Sequence, residues 1–196
     1  MWQIRPELAS NADRLRWNAR YGGEFVPAFS VHPLAQRALS VQLPAGPVLE
    51  LACGPSGSAL LAAAAGRPVT AVDASEVALE LLDAEAGRRG LAGLLTLVHA
   101  DLGDWCPDRD YALVLCTGFW DALVFATAQA AVAGSGLIAW EALTEAARQQ
   151  RPSLPARWCV GPGQPASLLA AGFDLLDTRD VRETRRQLLA RHVTGG

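Results

Sequence analysis

A short apolar segment that runs into a turn of small residues constrains this chain more than any other feature. Residues 48–51 read Val-Leu-Glu-Leu and predict a buried strand, and residues 52–57, Ala-Cys-Gly-Pro-Ser-Gly, predict a tight turn into a helix. A second apolar strand, residues 68–72, ends at Asp73, nineteen residues after Gly54. Strand, glycine turn, helix, strand and acid are the layout of a nucleoside-binding βαβ unit.

The residue types in this unit indicate which kind of ligand it suits. Gly54 has no Cβ, so the backbone of the turn can approach a ligand closely, and Asp73 is placed to accept hydrogen bonds from both ribose hydroxyls. A dinucleotide loop would read G-x-G-x-x-G, but Ala52 stands at its first glycine and Glu50 precedes it in the strand. A carboxylate there repels phosphate and suits a cationic ligand. S-adenosylmethionine (SAM), a nucleoside with sulfonium and ammonium groups, is such a ligand.

The same residues resemble the first motif of the class I SAM-dependent methyltransferases. That motif is approximately a hydrophobic residue, Asp or Glu, any residue, Gly or Ala, Cys, Gly, any residue and Gly. Residues 49–54 match it as Leu-Glu-Leu-Ala-Cys-Gly, and the third glycine comes one position late, as Gly57. The resemblance implies SAM as the cofactor.

Strand and helix patterns alternate through the rest of the chain, as in a doubly wound α/β domain. Further strands are predicted at 94–99, 111–116, 136–140, 173–181 and 185–193, and helices at 76–89, 119–132 and near 166–171. By length the chain is one domain, 1–196, with an N-terminal lid and helices (1–45) and a Rossmann-like core (46–196). The resemblance implies a mostly parallel, seven-stranded sheet that ends in an antiparallel hairpin.

The residues after the carboxyl ends of the strands are the expected cofactor site, since open α/β sheets bind ligands there. In the family, the acid after the third strand contacts the adenine amino group, which assigns this role to Asp101, although Asp101 could also cap a helix. The cofactor-contacting residues expected from motif and resemblance are Trp17, Tyr21, Glu50, Ala52, Cys53, Gly54, Gly57, Asp73, Ala74, Ser75, Asp101, Leu102 and Cys116.

The N-terminal segment carries a second resemblance. Residues 17–21, Trp-Asn-Ala-Arg-Tyr, are similar to a W-x-x-R/K-Y/W segment that closes over SAM in small bacterial methyltransferases of the tellurite-resistance and thiopurine type. On a helix, Trp17 and Tyr21 share one face. A hydrophobic seam packed on the domain is the alternative. Because the pair Gly22-Gly23 could serve as a hinge, we expect residues 17–29 to form a mobile lid.

The methyl acceptor is less constrained than the cofactor. Trp120, Glu141 and Trp158 are the expected substrate-contacting residues, although tryptophan is also frequent in cores and Glu141 could begin a helix. Residues 158–164 are similar to a family segment that is approximately aromatic-x-L-x-P-G-E-L, with Gln164 in place of the Glu.

No catalytic residue is assigned by the sequence. His32, beside the lid, is a better candidate for a base than His99 or His192, and a thiolate acceptor would need none. Residues 116–119, Cys-Thr-Gly-Phe, lack the N/D-P-P-Y/F motif of amino-group methyltransferases, which disfavours methylation of adenine bases or glutamine side chains.

Composition excludes several other chemistries. All 17 cationic residues are arginine, which removes the P-loop lysine, the Schiff-base lysine and the Tyr-x-x-x-Lys pair of short-chain dehydrogenases. The net charge of −3 argues against a nucleic-acid surface, and the four cysteines lack C-x-x-C spacing, so no metal site is expected. Residues 1–7 lack a signal core, and no apolar run is long enough to cross a membrane.

The sequence therefore predicts a cytoplasmic enzyme, monomeric or homodimeric, that transfers a methyl group from SAM to a small-molecule acceptor by in-line displacement. It predicts no nucleic-acid, membrane or metal partner. Two alternatives stay open: a non-catalytic SAM-binding module, and a nicotinamide-dependent oxidoreductase, against which the missing lysine and Ala52 both argue.

Overall fold

A computed structural model describes residues 6–193, in which helices cover both faces of a central sheet. The strands are β1 (Val48–Leu51), β2 (Val69–Asp73), β3 (Leu95–His99), β4 (Tyr111–Thr117), β5 (Val132–Thr144), β6 (Cys159–Val160), β7 (Phe173–Val181) and β8 (Arg185–His192). The helices are α1 (Ala12–Tyr21), α2 (Pro33–Ser40), α3 (Gly57–Ala64), α4 (Glu76–Arg88), α5 (Ala122–Ala130) and α6 (Glu145–Gln150). Four short 3-10 turns lie at Pro6–Leu8, Ala92–Leu94, Ala156–Trp158 and Ala166–Leu168.

The strand order of the sheet is β3-β2-β1-β4-β5-β8-β7. Strands β1 to β5 are parallel, and β8 runs antiparallel to both β5 and β7. The two-residue β6 pairs with the end of β5 and is an eighth strand that the sequence did not predict. The predicted α/β class, parallel sheet and C-terminal antiparallel hairpin are confirmed.

Local sequence signals explain where the central elements begin and end. Residues 111–116 are all buried and all apolar, as expected for a strand covered on both faces. Helix α4 begins after Ser75, whose hydroxyl accepts a hydrogen bond from the Ala78 N–H at 3.1 Å, and its chain turns at Gly90, where φ is +70°. The helix predicted at 76–89 is therefore confirmed.

Three predicted boundaries differ from the structure. The helix predicted at 119–132 begins only after Asp121, whose carboxylate caps it by accepting from the Leu123 and Val124 N–H groups. Strand β5 begins at Val132 and contains the predicted Gly-Ser-Gly turn as an irregularity in its pairing with β4. The helix near 166–171 is reduced to a single 3-10 turn.

Two apolar layers hold the sheet in place. The layer on the α5 side includes Phe125 and Trp140, and the layer on the other side is covered by α2, α3 and part of α4. Within residues 6–193, no helix combines the length and the apolar character needed to cross a bilayer. Because β1, β2 and β3 are parallel, their carboxyl ends lie along the same edge of the sheet. The N-terminal helix α1 lies against α4 at this edge.

Candidate functional site

The turn after β1 is held by the carboxylate that ends β2. Ala52 and Gly54 both have left-handed backbones, with φ of +48° and +55°. The Gly54 N–H donates to Asp73 Oδ2 at 2.8 Å, and the Ser75 N–H donates to Asp73 Oδ1 at 2.8 Å. A Cβ on Gly54 would lie 3.0 Å from the Tyr21 hydroxyl. The turn therefore presents bare backbone next to a fixed carboxylate.

The environment of Asp73 suits a ligand that donates hydrogen bonds. Burial raises the pKa of Asp73, while the N–H groups of Ser75 and Gly54 lower it. A carboxylate has about four acceptor positions, so these two N–H groups leave acceptor capacity for hydroxyl groups. Asp73 is thus able to bind a diol, as predicted for a ribose.

Glu50 is a buried acid directly below this turn. Burial raises its pKa to about 8, and this effect outweighs the hydrogen bonds from Ser56 and Ala59 that lower it. The Ser56 hydroxyl lies 2.9 and 2.8 Å from the two Glu50 oxygens, and it also caps α3 by accepting from the Ser58 and Ala59 N–H groups. A carboxyl group that is costly to ionise in this way is stabilised as an anion by a nearby cation.

Gly57 packs against the N-terminal segment. A Cβ at Gly57 would lie 2.1 Å from the carbonyl oxygen of Phe29, whose own φ is +45°. The His32 N–H donates to the Ser58 hydroxyl at 3.1 Å just beyond this contact. The missing side chain of Gly57 thus admits the Phe29 backbone, and its contact with the cofactor stays a prediction.

Helix α1 and its cap residue Asn11 contact two of the positions expected to bind the cofactor. The Asn11 amide donates to Asp101 Oδ2 at 2.6 Å, the hydrogen bond expected from an adenine amino group, and the Ser75 hydroxyl donates to Asn18 Oδ1 at 2.7 Å. The other Asp101 oxygen accepts from the Gly103 N–H, and no helix follows, so the helix-cap alternative is wrong. Asp101 caps a turn and holds α1.

A buried ion pair fixes the first half of α1. The Arg14 Nε donates to Glu76 Oε2 at 2.8 Å, and Arg14 Nη2 pairs with Glu76 Oε1. Arg14 is buried, and its interaction with Glu76 crosses from α1 to the first turn of α4. The start of α1 is therefore attached to the core, and its second half carries the aromatic residues.

These aromatic residues form a row over the turn after β1. Trp17 and Tyr21 stack with ring centres 5.7 Å apart, and Phe25 packs edge-on against Tyr21 at 5.4 Å. Burial and then the Asp73 charge raise the pKa of Tyr21 to about 12, so Tyr21 is a neutral hydroxyl donor at physiological pH. The predicted shared face of Trp17 and Tyr21 is present in the structure.

The remaining predicted cofactor residues fall into two groups. Ala52, Cys53 and Ala74 are partly accessible beside the turn and the end of β2. Leu102 is almost wholly covered and Cys116 wholly, both within the α5-side core, and the Cys116 thiol points to the Phe119 carbonyl at 3.9 Å. Cys116 is therefore placed in the core and not at the site.

The predicted substrate residues are not brought together. Trp120 is 6% exposed and packs on Phe125 and Trp140, so it is a core residue, because the loop before α5 folds inward. Trp158 is partly exposed at the end of its 3-10 turn and faces α1. Of the two tryptophans, Trp158 alone remains a candidate for contact with an acceptor.

Glu141 lies within β5, so the alternative that it begins a helix is wrong. It accepts hydrogen bonds from Arg185 Nη1 and Gln187 Nε2, each at 2.7 Å, and lies 3.3 Å from His32 Nε2. Burial alone would raise the pKa of Glu141, but hydrogen bonds from His32, Gln187 and Arg185 hold it at about 2. Glu141 is a buried, ionised acid with three protein donors.

The histidines are all engaged in structural contacts. His32 Nδ1 accepts from the Leu34 N–H at 3.2 Å to cap α2, which leaves Nε2 directed at Glu141. His99 Nε2 lies 3.0 Å from the Ala74 carbonyl, and His192 Nδ1 lies 2.8 Å from the Val132 carbonyl. Both ring nitrogens of His32 are therefore directed at protein partners. Across the described part of the chain, no cluster of three His, Cys, Asp or Glu residues forms a metal site.

Sequence reasoning missed four polar residues that build the site: Asn11, Asn18, Ser56 and Glu76. Ser56 could have been found, because a Ser directly before a small-residue helix is a common cap. Asn11 precedes α1 in the same way and accepts from the Arg14 N–H at 2.9 Å. The contacts of Asn18 and Glu76 are long-range and have no local signal.

Comparison with known proteins defines the class to which this fold and turn correspond. Residues 48–135 match the family model described as a methyltransferase domain. The matched range includes the turn after β1, Asp73 and Asp101. The strands in this range lie next to one another in the sheet, in the order β3-β2-β1-β4. The resemblance to class I SAM-dependent methyltransferases is thereby confirmed, and the chain has their fold.

Solved structures give the same result. The structure of DhpI in complex with SAM and HEP is 26% identical, with a TM-score of 0.61 over 94% of this chain and 96% of that one. TehB from Haemophilus influenzae is 13% identical, with a TM-score of 0.66 over 91% of this chain and 66% of that one. The cyclase SpnF is 17% identical, with a TM-score of 0.64 over 83% and 79%. No curated protein sequence matches the chain significantly.

Proposed function

We propose that this protein binds SAM at the carboxyl edge of β1 and β2 and transfers its methyl group to a small-molecule acceptor. The observation that carries the proposal is Asp73, a buried carboxylate that holds the left-handed turn at Gly54 and keeps acceptor capacity for a ribose diol. The DhpI structure, which contains SAM, supports the choice of cofactor.

The residues around the turn fit the separate parts of SAM. Glu50 suits the cationic methionine end, because a nearby cation would offset the cost of ionising this buried acid. Asp101 suits the adenine amino group, for which Asn11 makes the equivalent hydrogen bond. Trp17 and Tyr21, which stack beside the turn, would cover the ligand from α1.

The chemistry asks little of the protein beyond alignment. A sulfonium supplies an activated methyl group, so holding an acceptor atom in line with it provides much of the rate acceleration. His32 is occupied by the Leu34 N–H and Glu141. The proposed reaction therefore uses positioning, and acceptors that react without losing a proton to a protein base suit it best.

Calorimetric titration with SAM and with S-adenosylhomocysteine tests the cofactor half of the proposal. Asp73→Asn should make the binding free energy of SAM less favourable by about 2–4 kcal/mol, since the change removes a charged hydrogen-bond acceptor. The matched control is Asp108→Ala, because Asp108 is an exposed acid in the loop between β3 and β4 and outside the expected cofactor set. Equal affinity for SAM in folded Asp73→Asn and wild-type protein would exclude the assignment.

A non-catalytic or differently catalytic SAM-binding protein is the second candidate. The fold alone does not decide between them, because one structure with this fold is described as a cyclase. Incubation of SAM with a panel of hydroxy, amino and thiol compounds, followed by mass spectrometry, separates the two. A methylated product supports the transferase, whereas SAM binding without product from any compound class supports the alternative. Stabilisation by NADH and not by SAM would instead indicate an oxidoreductase.

A further inference from the structure

Two arginine side chains face the same partly exposed tryptophan, Trp158. The guanidinium carbon of Arg16 lies 4.2 Å from the ring centre of Trp158, and that of Arg157 lies 5.8 Å from it. Arg16 is on α1, and Trp158 ends the 3-10 turn that leads into β6. The contact joins the N-terminal helix to the connection between α6 and β6.

This contact lies across the edge of the sheet at which ligands bind. Arg16 precedes Tyr21 by five residues, about 7.5 Å along the helix axis, and Tyr21 covers the turn at Gly54. On the other side, β6 pairs with the last two residues of β5. The Arg16–Trp158 contact therefore lies between the cofactor turn and the carboxyl end of β5.

Arg16 and Arg157 stand apart from the ion pairs that residues 6–193 form. Among the ion pairs within residues 6–193, neither Arg16 nor Arg157 has a carboxylate partner, and both side chains are exposed. Both guanidinium groups lie within 6 Å of the same ring centre, so two positive charges are brought to one side chain, and an exposed cation–π contact offsets little of that charge. The chain carries a net charge of −3, so this local excess of positive charge does not follow from composition.

We propose that Arg16 and Arg157, beside Trp158, bind an anionic group of the methyl acceptor, a carboxylate or a phosphate. Guanidinium groups donate paired hydrogen bonds that match both kinds of anion. An anion between the two arginines would offset their positive charge and hold one end of the acceptor at the rim of the site. The identity of the ligand as an acceptor rests on the proposed function, whereas the existence of the anion site does not.

Titration of the protein with inorganic phosphate and with acetate, at fixed ionic strength and with and without S-adenosylhomocysteine, tests the proposal. Tryptophan fluorescence is the readout, because the anion would bind against Trp158. We expect saturable binding that weakens at least about tenfold in Arg16→Gln and in Arg157→Gln. Arg88→Gln is the control, since Arg88 is exposed on α4 and paired with Glu85. Tighter binding of phosphate or of acetate would indicate which anion the acceptor carries.

Several outcomes would overturn the anion site. These are the absence of saturable binding, or equal binding by the wild type and both variants. If Arg16→Gln only increases hydrogen exchange in α1 and leaves the titration unchanged, the Arg16–Trp158 contact only holds α1 in place. The proposal is then wrong. Failure to bind S-adenosylhomocysteine with intact anion binding would instead exclude the proposed function and leave the anion site standing.

Discussion

At the scale of single residues, the site is built from acids whose ionisation depends on their immediate partners. Burial raises the pKa values of Asp73 and Glu50, which lie beside the turn, whereas protein donors hold the pKa of Glu141 at about 2. The first two have spare capacity for an added donor or cation, and Glu141 has three donors from the protein already. Glu141 is thus satisfied by the protein itself, whereas Asp73 and Glu50 are the acids to which the proposed ligand would add a partner.

Glu50 should make the protein less stable as pH rises. Its pKa is raised from 4.5 to about 8, so the folded state holds a proton that the unfolded state releases, and the free energy of unfolding falls between these pH values. Glu50→Gln should remove this slope and stabilise the protein by about 1–3 kcal/mol at pH 8. Urea denaturation at pH 5 and pH 8 measures the effect.

Glu50→Gln should also weaken the binding of SAM, because a neutral amide cannot balance the cationic end of the ligand. Glu80→Gln is the control, since Glu80 is exposed on α4. An identical pH slope in the wild type and in Glu50→Gln would show that Glu50 is ionised in the free protein.

Gly57 should not tolerate even a methyl group. Its Cβ would lie 2.1 Å from the Phe29 carbonyl oxygen, so Gly57→Ala must displace the N-terminal segment and should destabilise the protein by about 1–3 kcal/mol. Gly87→Ala is the matched control, because no atom lies within 4 Å of its added Cβ on α4. That change should stabilise the protein by about 0.5–1 kcal/mol. Thermal denaturation of both variants decides the matter, and equal shifts would exclude close packing at Gly57.

At the scale of elements, helix α1 is attached to the core by polar contacts and also carries aromatic side chains over the turn after β1. Arg14 and Asn18 attach it to α4 and Ser75, while Trp17 and Tyr21 lie over the turn. After Tyr21 the chain has no helix or strand until α2 begins at Pro33. A helix that is followed by irregular backbone is suited to local opening at that end.

The segment 17–29 is therefore expected to behave as a lid. S-adenosylhomocysteine should slow amide hydrogen exchange in residues 17–29, because the ligand would pack under Trp17 and Tyr21 and restrict opening. Helix α5, which packs into the core on the far face, should exchange equally with and without ligand and serves as the internal control. Equal protection of residues 17–29 in both states would make α1 a fixed part of the core.

At the scale of the whole molecule, periodicity and turn residues predicted seven of the eight strands in their order along the chain, whereas β6 was missed. The strands from β1 to β4 follow from apolar runs bounded by Gly, Pro and Asp, and the terminal hairpin followed from resemblance. The irregular start of β5 was missed because the Gly-Ser-Gly segment has the composition of a turn, while pairing with β4 keeps it in the sheet.

The contact between Asp73 and the turn at Gly54 could be predicted for the same reason, since both residues occur in one local βαβ unit. Contacts such as Asn11 with Asp101, ninety residues apart, could not, because they depend on where the folded chain places α1. The residues expected to contact the methyl acceptor were harder to predict, since tryptophan is common both in cores and in binding sites. Trp120 is a buried core residue, and Trp158 faces α1.

Glu141 connects three distant parts of the molecule, and its removal should lower global stability in a pH-dependent way. It joins β5 to Arg185 and Gln187 on β8, 44 and 46 residues away, and to His32 before α2. Because its pKa is lowered from 4.5 to about 2, its contribution is complete above pH 4.5 and is lost as pH falls towards 2. Glu141→Gln should therefore cost about 2–4 kcal/mol at pH 7, and clearly less at pH 3. Urea denaturation at pH 7, 5 and 3 measures this difference against Glu145→Gln, a surface acid paired with Arg148 whose loss should cost under about 1 kcal/mol. A difference between Glu141→Gln and the wild type that is equal at all three pH values would mean that the packing of the side chain, and not its charge, holds the three parts together.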